Sequence, residues 1–387
     1  MKHFYIILIA LFLGIGARAQ TTQPFSSCLP QGITFSTQTE IDHFQTNYPG
    51  CTGIEGNVTI NGDNITNLNG LNGLTFIGGS LNINGNNALT SLTGLDNLTS
   101  IGDELSIFGN GALSSLTGLE NLSFIGNILY IFGNNALTSL TGLENLTSLE
   151  DGLTLFYNDA LVSLTGLKNL TSIGNFLSIG GNNTLTSLTG LENLASIGGA
   201  FSIGKNNALT SLTGLENLTS IGGALIISEN NSITSLTGLE NINAGTITNV
   251  KIFDNPTLSD CAIQSICEYL AAPNGVFEIH GNATGCNSQE EVEEACIYLS
   301  AGDLTIQSSL PLFPNPASKT ITIESAGNSM PQKNIWLTIS DLNGRQLIQR
   351  AVTEPQTVVD VSGLSSGVHF MKVISDNGVK VGKFVKE

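Results

Sequence analysis

Histidine and serine are the first side chains to consider for catalysis in this 387-residue chain. Beyond the first twenty residues, His43, His280 and His369 lie in three different parts of the chain, with no plausible shared pocket. The segment Gly363-x-Ser365-x-Gly367 has the letters of a nucleophile elbow, but it is not placed on a strand-to-helix turn. HExxH, phosphate-loop and EF-hand patterns are absent from the sequence. These residues therefore do not indicate a hydrolase.

Paired carboxylates are the second possibility, because extracellular β-helices include polysaccharide lyases and hydrolases. Such sites usually need basic residues or a metal beside the acids, and the repeated region offers only Lys168, Lys205 and Lys251. We predict that the protein is not an enzyme and that it uses no cofactor and no metal. An extracellular polysaccharide-active enzyme is the third of three functional hypotheses.

Acidic residues recur at one position of a repeat, with Lys168 interrupting the series. The members of this acidic column are Asp96, Glu120, Glu144, Glu192, Glu216 and Glu240. Stacked like charges repel one another mildly and could share divalent cations. The alternative is a solvated stripe that keeps a rod of low charge soluble.

Aromatic residues form a second column. Phe108, Phe132 and Phe156 each follow the second inward residue of a short strand, so alternation points their rings outward beside Tyr130 and Tyr157. An exposed aromatic strip suits stacking on sugar rings or contact with a protein partner. In the alternative interpretation, the rings pack on one another as a structural ladder. These five residues are the candidate ligand-binding residues.

The charge distribution excludes one class of partner. The formal charge is −18, and residues 21–309 contain three Lys, no Arg and 25 Asp or Glu. A surface this acidic cannot neutralise a phosphate backbone, so nucleic acid is not a partner.

The elements that position these columns come from a repeat of 24 residues. Ser-Leu-Thr-Gly-Leu begins at residues 91, 115, 139, 163, 187, 211 and 235. A fixed period of this length predicts a solenoid in which each turn buries its apolar face against the next. Leu225 and Ile227 are spaced as in a strand with one buried face. We expect nine or ten turns, a corner at each repeated glycine, and an Asn column (Asn86, Asn110 and their equivalents) that forms a structural ladder.

Helical caps are predicted at both ends of the solenoid, where strand edges would otherwise be exposed. Thr37-x-x-Glu40 has capping-box spacing and predicts a helix to about Thr46, and a bridge between Cys28 and Cys51 would fix it. After the last turn, Asp260 is expected to cap a helix from Cys261 to about Ala271. Ser288-x-x-Glu291 is expected to cap a second helix, to about Leu299. The cysteines of this cap are Cys261, Cys267, Cys286 and Cys296, which allow three disulfide pairings, with a zinc site as the alternative.

The first twenty residues are typical of a secretory signal peptide. A basic start precedes an apolar run of 13 residues, and small residues then favour cleavage after Ala19 or Gln20. No later segment reaches 18 uninterrupted apolar residues, so no membrane anchor is expected in the mature chain. Export also makes disulfides possible.

The last 78 residues differ in composition and alternate between apolar and polar residues. Runs begin near residues 320, 335, 346, 357, 368 and 380, with Asn343-Gly344 as a hairpin turn. Six or seven short strands in this length predict a small β-sandwich.

The entry to the solenoid resembles the receptor L-domains of insulin- and EGF-receptor type. The resemblance rests on Cys28, on Cys51 and on the following Thr52–Ile60 segment, and it extends over roughly residues 28–300. The Leu/Asn spacing is also similar to that of leucine-rich repeat proteins of bacterial surfaces. The resemblance implies a leucine-rich, right-handed β-helix with a binding role, without the signalling of the receptors.

The C-terminal segment resembles a type IX secretion (type A) sorting domain of the Bacteroidota. The residues that carry this resemblance are Pro314, Asn315, Pro316, Gly367, Lys383 and Lys386. It implies export across the outer membrane by the type IX machinery, removal of the domain near residues 300–312, and attachment to the surface or release.

The sequence as a whole predicts an all-β protein: a right-handed solenoid with small helical caps, followed by a β-sandwich. The predicted segments are a signal peptide (1–20), an N-terminal cap (21–50), the solenoid (51–258), a Cys-rich cap (259–300), a linker (301–309) and the sorting domain (310–387). We expect a secreted or surface-displayed adhesin or recognition module that binds a glycan or protein ligand. A purely structural surface rod is the second hypothesis.

Overall fold

The computed structural model describes residues 27–303, 310, 312–324, 335–341, 345–352, 356–375 and 378–387. The predicted signal peptide with Ala19 and Gln20, residues 304–309 of the predicted linker and the Asn343-Gly344 turn lie outside the described residues. The chain divides into two compact units, residues 1–183 and 184–387. Among the described residues, no helix is long and apolar enough to cross a membrane.

A long parallel sheet runs through the first unit. Its strands are Ile33–Phe35, Val58–Ile60, Leu81–Asn84, Leu105–Phe108, Leu129–Phe132, Leu153–Phe156 and Leu177–Gly180. Equivalent residues of successive turns pair directly, as Leu105 does with Leu129. The inward Leu and Ile side chains are fully buried, which the period-two alternation predicted. The fold is the predicted β-solenoid.

A second row of two-residue strands closes each turn of the first unit. These strands are Ser27–Cys28, Gly53–Ile54, Phe76–Ile77, Ser100–Ile101, Phe124–Ile125, Ser148–Leu149 and Ser172–Ile173. Between the rows, leucines three residues apart, such as Leu113, Leu116 and Leu119, are fully buried. Each such side chain stabilises the fold by about 1.5–3 kcal/mol when it is removed from water.

Buried asparagines form a ladder beside the long sheet. The Asn134 Oδ1 atom accepts hydrogen bonds from the backbone N and the Nδ2 of Asn110, at 3.0 and 3.1 Å. Asn134 Nδ2 donates to the Ile107 carbonyl at 2.9 Å and to Asn158 Oδ1 at 3.3 Å. Every buried polar atom of this side chain is therefore paired, and the column has the structural role that the sequence predicted.

The N-terminal cap contains the expected capping box. Thr37 accepts a hydrogen bond from the Glu40 backbone N, and Glu40 accepts one from the Thr37 backbone N. The helical segment is split into Gln38–Asp42 and Phe44–Asn47 rather than continuous. Cys28 is disulfide-bonded to Cys51, with the Cα atoms 5.8 Å apart.

The second unit continues the same architecture. Its long strands are Phe201–Gly204, Leu225–Ser228, Val250–Phe253 and Phe277–His280, its short strands are Ser196–Ile197 and Ser220–Ile221, and its helices are Gln264–Ala271 and Gln289–Asp303. Short 3-10 turns occur at Asn69–Leu71 in the first unit and at Ala244–Thr246 in the second.

Among the described residues, the solenoid turns of the two units contain eleven long strands, more than the nine or ten turns expected. The difference arises because each cap adds a strand that lacks the Ser-Leu-Thr-Gly-Leu signature: Ile33–Phe35 pairs with Val58–Ile60, and Phe277–His280 pairs with Val250–Phe253.

The C-terminal cap differs from expectation at one helix start. The helix begins at Gln264, after Ile263, because Asp260 instead lies in a bridge with Ser235. The second helix begins after Ser288, as predicted, and the Ser288 Oγ accepts a hydrogen bond from the Glu291 backbone N at 3.3 Å. The disulfides join Cys261 to Cys286 and Cys267 to Cys296, one of the three pairings that the sequence leaves open.

The C-terminal residues form two antiparallel sheets. One contains Leu312–Phe313, Thr320–Glu324 and Gln356–Asp360, and the other contains Gln346–Val352, Ile335–Ser340, Gly367–Ser375 and Gly378–Lys386. Ile321 from the first sheet and Leu337, Met371 and Phe384 from the second belong to one buried core. This is the predicted antiparallel β-sandwich.

Candidate functional site

The outward-facing residues of the long sheet bring the candidate aromatic side chains together. Phe132 pairs with Phe108 on one side and with Phe156 on the other, while Tyr130 stands two residues before Phe132 on the same strand face. Tyr157 directly follows the Phe156 strand. We call these five residues the aromatic face.

The rings of the aromatic face contact one another around Phe132. Its ring centroid lies 5.2 Å from that of Phe108, 5.9 Å from that of Tyr130 and 5.3 Å from that of Tyr157. Phe108 and Tyr157 nevertheless remain 45% and 46% exposed. The rings pack on one another, as the ladder interpretation expects. Phe108 and Tyr157 are also exposed to solvent, as the strip interpretation expects. An exposed, pre-packed aromatic surface is a feature of binding sites.

The backbone of Tyr157 is in the left-handed region, with φ of +55°. The equivalent residues Gly85, Gly109, Gly133 and Gly181 are glycine, with φ between +64° and +67°. In the second unit, Lys205, Glu229 and Asp254 take the same left-handed conformation at this position, with φ between +55° and +59°. A non-glycine residue in such a conformation costs of order 1 kcal/mol or more. The ring of Tyr157 also lies over Gly181, where an added Cβ would come within 2.6 Å of it. The chain thus holds an exposed ring in a strained position that its neighbours leave to glycine.

Replacing Tyr157 by glycine is expected to change the free energy of unfolding by less than about 1 kcal/mol, because relief of the strain offsets the lost ring contacts. Leu155→Ala deletes a fully buried side chain two residues earlier and is expected to lower the free energy of unfolding by about 2–5 kcal/mol. Chemical denaturation with the disulfides intact measures both values. A loss at Tyr157 as large as that at Leu155 would show that this ring belongs to the core.

The sequence interpretation missed Glu104, which lies near Tyr130 of the aromatic face, and Phe176, which directly precedes the neighbouring strand Leu177–Gly180. Burial raises the pKa of the Tyr130 hydroxyl, and the negative charge of nearby Glu104 raises this pKa further. The Phe176 ring lies over Gly152, where an added Cβ would be 2.4 Å from the ring. Gly152 could have predicted the position of the Phe176 ring, because a glycine at the same repeat position one turn earlier leaves space for a large side chain.

The acidic column is engaged in turn formation. Each carboxylate accepts a hydrogen bond from the backbone N–H of the corner glycine two residues earlier, over 2.7–2.9 Å: Asp96 from Gly94, Glu120 from Gly118, Glu144 from Gly142, Glu192 from Gly190, Glu216 from Gly214 and Glu240 from Gly238. The corner glycines have φ between +109° and +116°. The repeated acids therefore have a local structural role that accounts for their period.

The candidate catalytic groups are not assembled into a catalytic site by the described contacts. His369 is buried and its Nε2 lies 2.8 Å from the backbone carbonyl oxygen of Ser365, not from the Ser365 hydroxyl. His280 stacks on Phe253 and lies 3.4 Å from a Glu278 carboxylate oxygen. Among the described residues, no group of three His, Cys, Asp or Glu gathers in a way that could hold a metal ion.

The sorting-motif residues come together at the last strand of the sandwich. The Asn315 side chain donates to the Lys383 carbonyl at 3.1 Å and accepts from the Val385 backbone N at 2.9 Å. Gly367 pairs with Lys386 at the start of its strand. Pro314 and Pro316 flank this Asn315 contact in the sequence. The motif therefore ties the beginning of the domain to its end.

Comparisons with known families match two segments of the chain. Residues 311–387 match the secretion system C-terminal sorting domain, and residues 50–113 match the receptor L domain. A search of curated proteins finds no match. The C-terminal match indicates export by the type IX system, so the protein is secreted or displayed at the cell surface and its partners include that machinery. A receptor L domain is typical of a binding-type module.

Proposed function

We propose that this protein is an exported, non-enzymatic adhesin or recognition module whose ligand contacts the aromatic face. The observation that carries the proposal is the exposure of Phe108 and Tyr157 on a pre-packed cluster of rings. Rings already held by their neighbours lose little conformational entropy when a ligand binds, which favours affinity.

A purely structural rod would not need these rings. Their column is filled by Gly204 and Ser228 in two turns of the second unit, which keep the same strand geometry without a ring, and by Phe253 in the next turn. The rings are therefore an addition to a scaffold that folds without them, which favours a recognition role.

Enzymatic function has less support. The repeated carboxylates accept hydrogen bonds from glycine N–H groups, as Glu144 does from Gly142. In the sandwich, His369 contacts the backbone carbonyl of Ser365 and not its hydroxyl. We therefore propose binding without turnover.

The test is a binding screen of the exported protein against glycan arrays and against host or neighbouring bacterial cells. A Phe108→Ser/Phe132→Ser/Phe156→Ser variant is expected to weaken any saturable binding at least about 100-fold, because buried aromatic contacts dominate binding energy. Circular dichroism checks that the variant keeps its fold.

Phe124→Ser provides the matched control. Phe124 is 45% exposed, like Phe108, but belongs to the short-strand row and not to the long sheet. Equal binding by the triple variant and the unmodified protein would contradict the assignment of the site, and an absence of saturable binding in both would favour the structural rod.

A further inference from the structure

The first unit, which carries the aromatic face, is strongly acidic. Residues 27–183 contain twelve carboxylates, one lysine and no arginine. Glu104 directly precedes the strand Leu105–Phe108 and stands two residues before Ser106, which pairs with Tyr130. Its negative charge adds to burial in raising the pKa of the Tyr130 hydroxyl. A surface of this sign repels anionic ligands, steers basic ones toward it and favours their retention.

The orientation of the rings also discriminates between ligands. The planes of Phe108 and Phe132 are 49° apart, and those of Phe132 and Tyr157 are 67° apart. Successive sugar rings stack best on rings that share a plane. Tyr130 and Phe132 are nearly parallel within one strand, 8° apart, but the rings of successive turns along the column are tilted. Tilted rings present several negative ring faces around a small volume, which suits a cation.

The repeat itself supplies a comparison between turns. Asp103 and Glu104 precede one strand of the aromatic face, and Glu150 and Asp151 precede another. The corresponding positions in the second unit are Gly199 with Ala200, and Gly222 with Gly223, and those turns also lack the aromatic residues of the face. Added acids thus accompany the rings at two of the three strands of the aromatic face, which is expected if one ligand contacts both, whereas Asn127 and Ile128 precede the central strand.

From this combination we infer that the ligand is a protein partner that presents an arginine-rich basic segment to the aromatic face and Glu104. This inference rests on the proposed binding function. Arginine fits better than lysine, because its planar guanidinium is less strongly hydrated, stacks on aromatic rings and can donate two hydrogen bonds to one carboxylate.

The experiment titrates the exported protein with a fluorescently labelled hexa-arginine peptide, and in parallel with hexa-lysine and with neutral cellohexaose. Hexa-arginine is expected to bind saturably, at least about tenfold more tightly than hexa-lysine, and more weakly as salt rises because the contacts are partly electrostatic. Glu104→Gln and Phe132→Ser are each expected to weaken hexa-arginine binding at least tenfold.

Glu229→Gln is the matched control. This variant removes one negative charge, as Glu104→Gln does, but at the repeat position of Tyr157 in a second-unit turn that has no aromatic ring. The exposed ion pair between Glu229 and Lys205 contributes little to stability, so its loss is expected to leave the fold unchanged. It is expected to change hexa-arginine binding less than twofold. Circular dichroism and the unfolding midpoint establish that every variant is folded.

Three results would overturn the inference. Equal weakening by Glu104→Gln and Glu229→Gln would mean that the peptide senses only net charge, and absence of hexa-arginine binding would exclude a basic ligand. Binding of cellohexaose that depends on Phe132, without hexa-arginine binding, would refute the basic partner while leaving the proposed binding function intact. The function itself fails separately, in the cell and glycan screen with the triple variant.

Discussion

Asn134→Ala is expected to lower the free energy of unfolding by about 4 kcal/mol or more. The substitution removes the side-chain partner of the Asn110 backbone N–H and of the Ile107 carbonyl. Asn110 Nδ2 keeps its bond to the Ile83 carbonyl, and Asn158 Oδ1 keeps the backbone N–H of residue 134. Each buried polar group without a partner costs about 1–3 kcal/mol, so the losses at one side chain accumulate. Chemical denaturation followed by circular dichroism measures the change.

Asn135→Ala is the control for this prediction. Asn135 is the next residue in the chain but is exposed. Its replacement is expected to change the free energy of unfolding by no more than about 0.5 kcal/mol. If both variants were equally stable, the buried amides would not be the interaction that holds successive turns in register.

Gly142→Ala is expected to destabilise the protein by about 3 kcal/mol or more. Gly142 has φ of +113°, and a Cβ atom added to it would lie 2.3 Å from the carbonyl oxygen of Leu116 in the preceding turn. The backbone at residue 142 must therefore move away from Leu116. This movement disturbs the packing between the two turns and the hydrogen bond from the residue 142 N–H to Glu144.

Gly133→Ala separates the two causes of this effect. Gly133 also has positive φ, +67°, but the nearest atoms to an added Cβ are 3.9 Å away. Its substitution is expected to cost about 1 kcal/mol, from backbone strain alone. The same denaturation experiment compares the two variants. Similar losses at both positions would show that φ, and not the contact with Leu116, sets the requirement for glycine.

The period of the sequence was enough to predict the solenoid, because a 24-residue repeat places equivalent residues in columns whatever the details of each turn. Leu129 and Ile131 point inward and Phe132 outward, as alternation requires. The caps were harder to predict. Phe277–His280 joins the sheet without the repeated signature, so only pairing with Val250–Phe253 reveals it as a turn.

The sequence predicted which residues form the candidate site but not how their rings are arranged. Alternation places Phe108, Phe132 and Phe156 on one face, but ring tilts depend on side-chain packing that no periodicity encodes. The left-handed backbone of Tyr157 could have been inferred from its alignment with Gly133 and Gly181. The hydrogen bonds of the acidic column were not foreseen, because a carboxylate that folds back on a glycine two residues earlier and one that faces solvent have the same sequence pattern.

The asparagine ladder has a direction, and this bears on how such a gene can change. Within each unit, the amide oxygen of one asparagine accepts from the previous asparagine. The series ends where Asn282 Nδ2 donates to the Cys286 carbonyl and the Asn282 backbone N donates to Asn287 Oδ1. The step from Asn230 to Asn255 spans 25 residues and the step to Asn282 spans 27, so the ladder fixes register rather than turn length. Duplication or loss of a whole internal turn by recombination between its near-identical repeats would preserve every ladder bond and leave both termini of the series unchanged. The number of turns is thus free to vary during evolution, while the two ends are not.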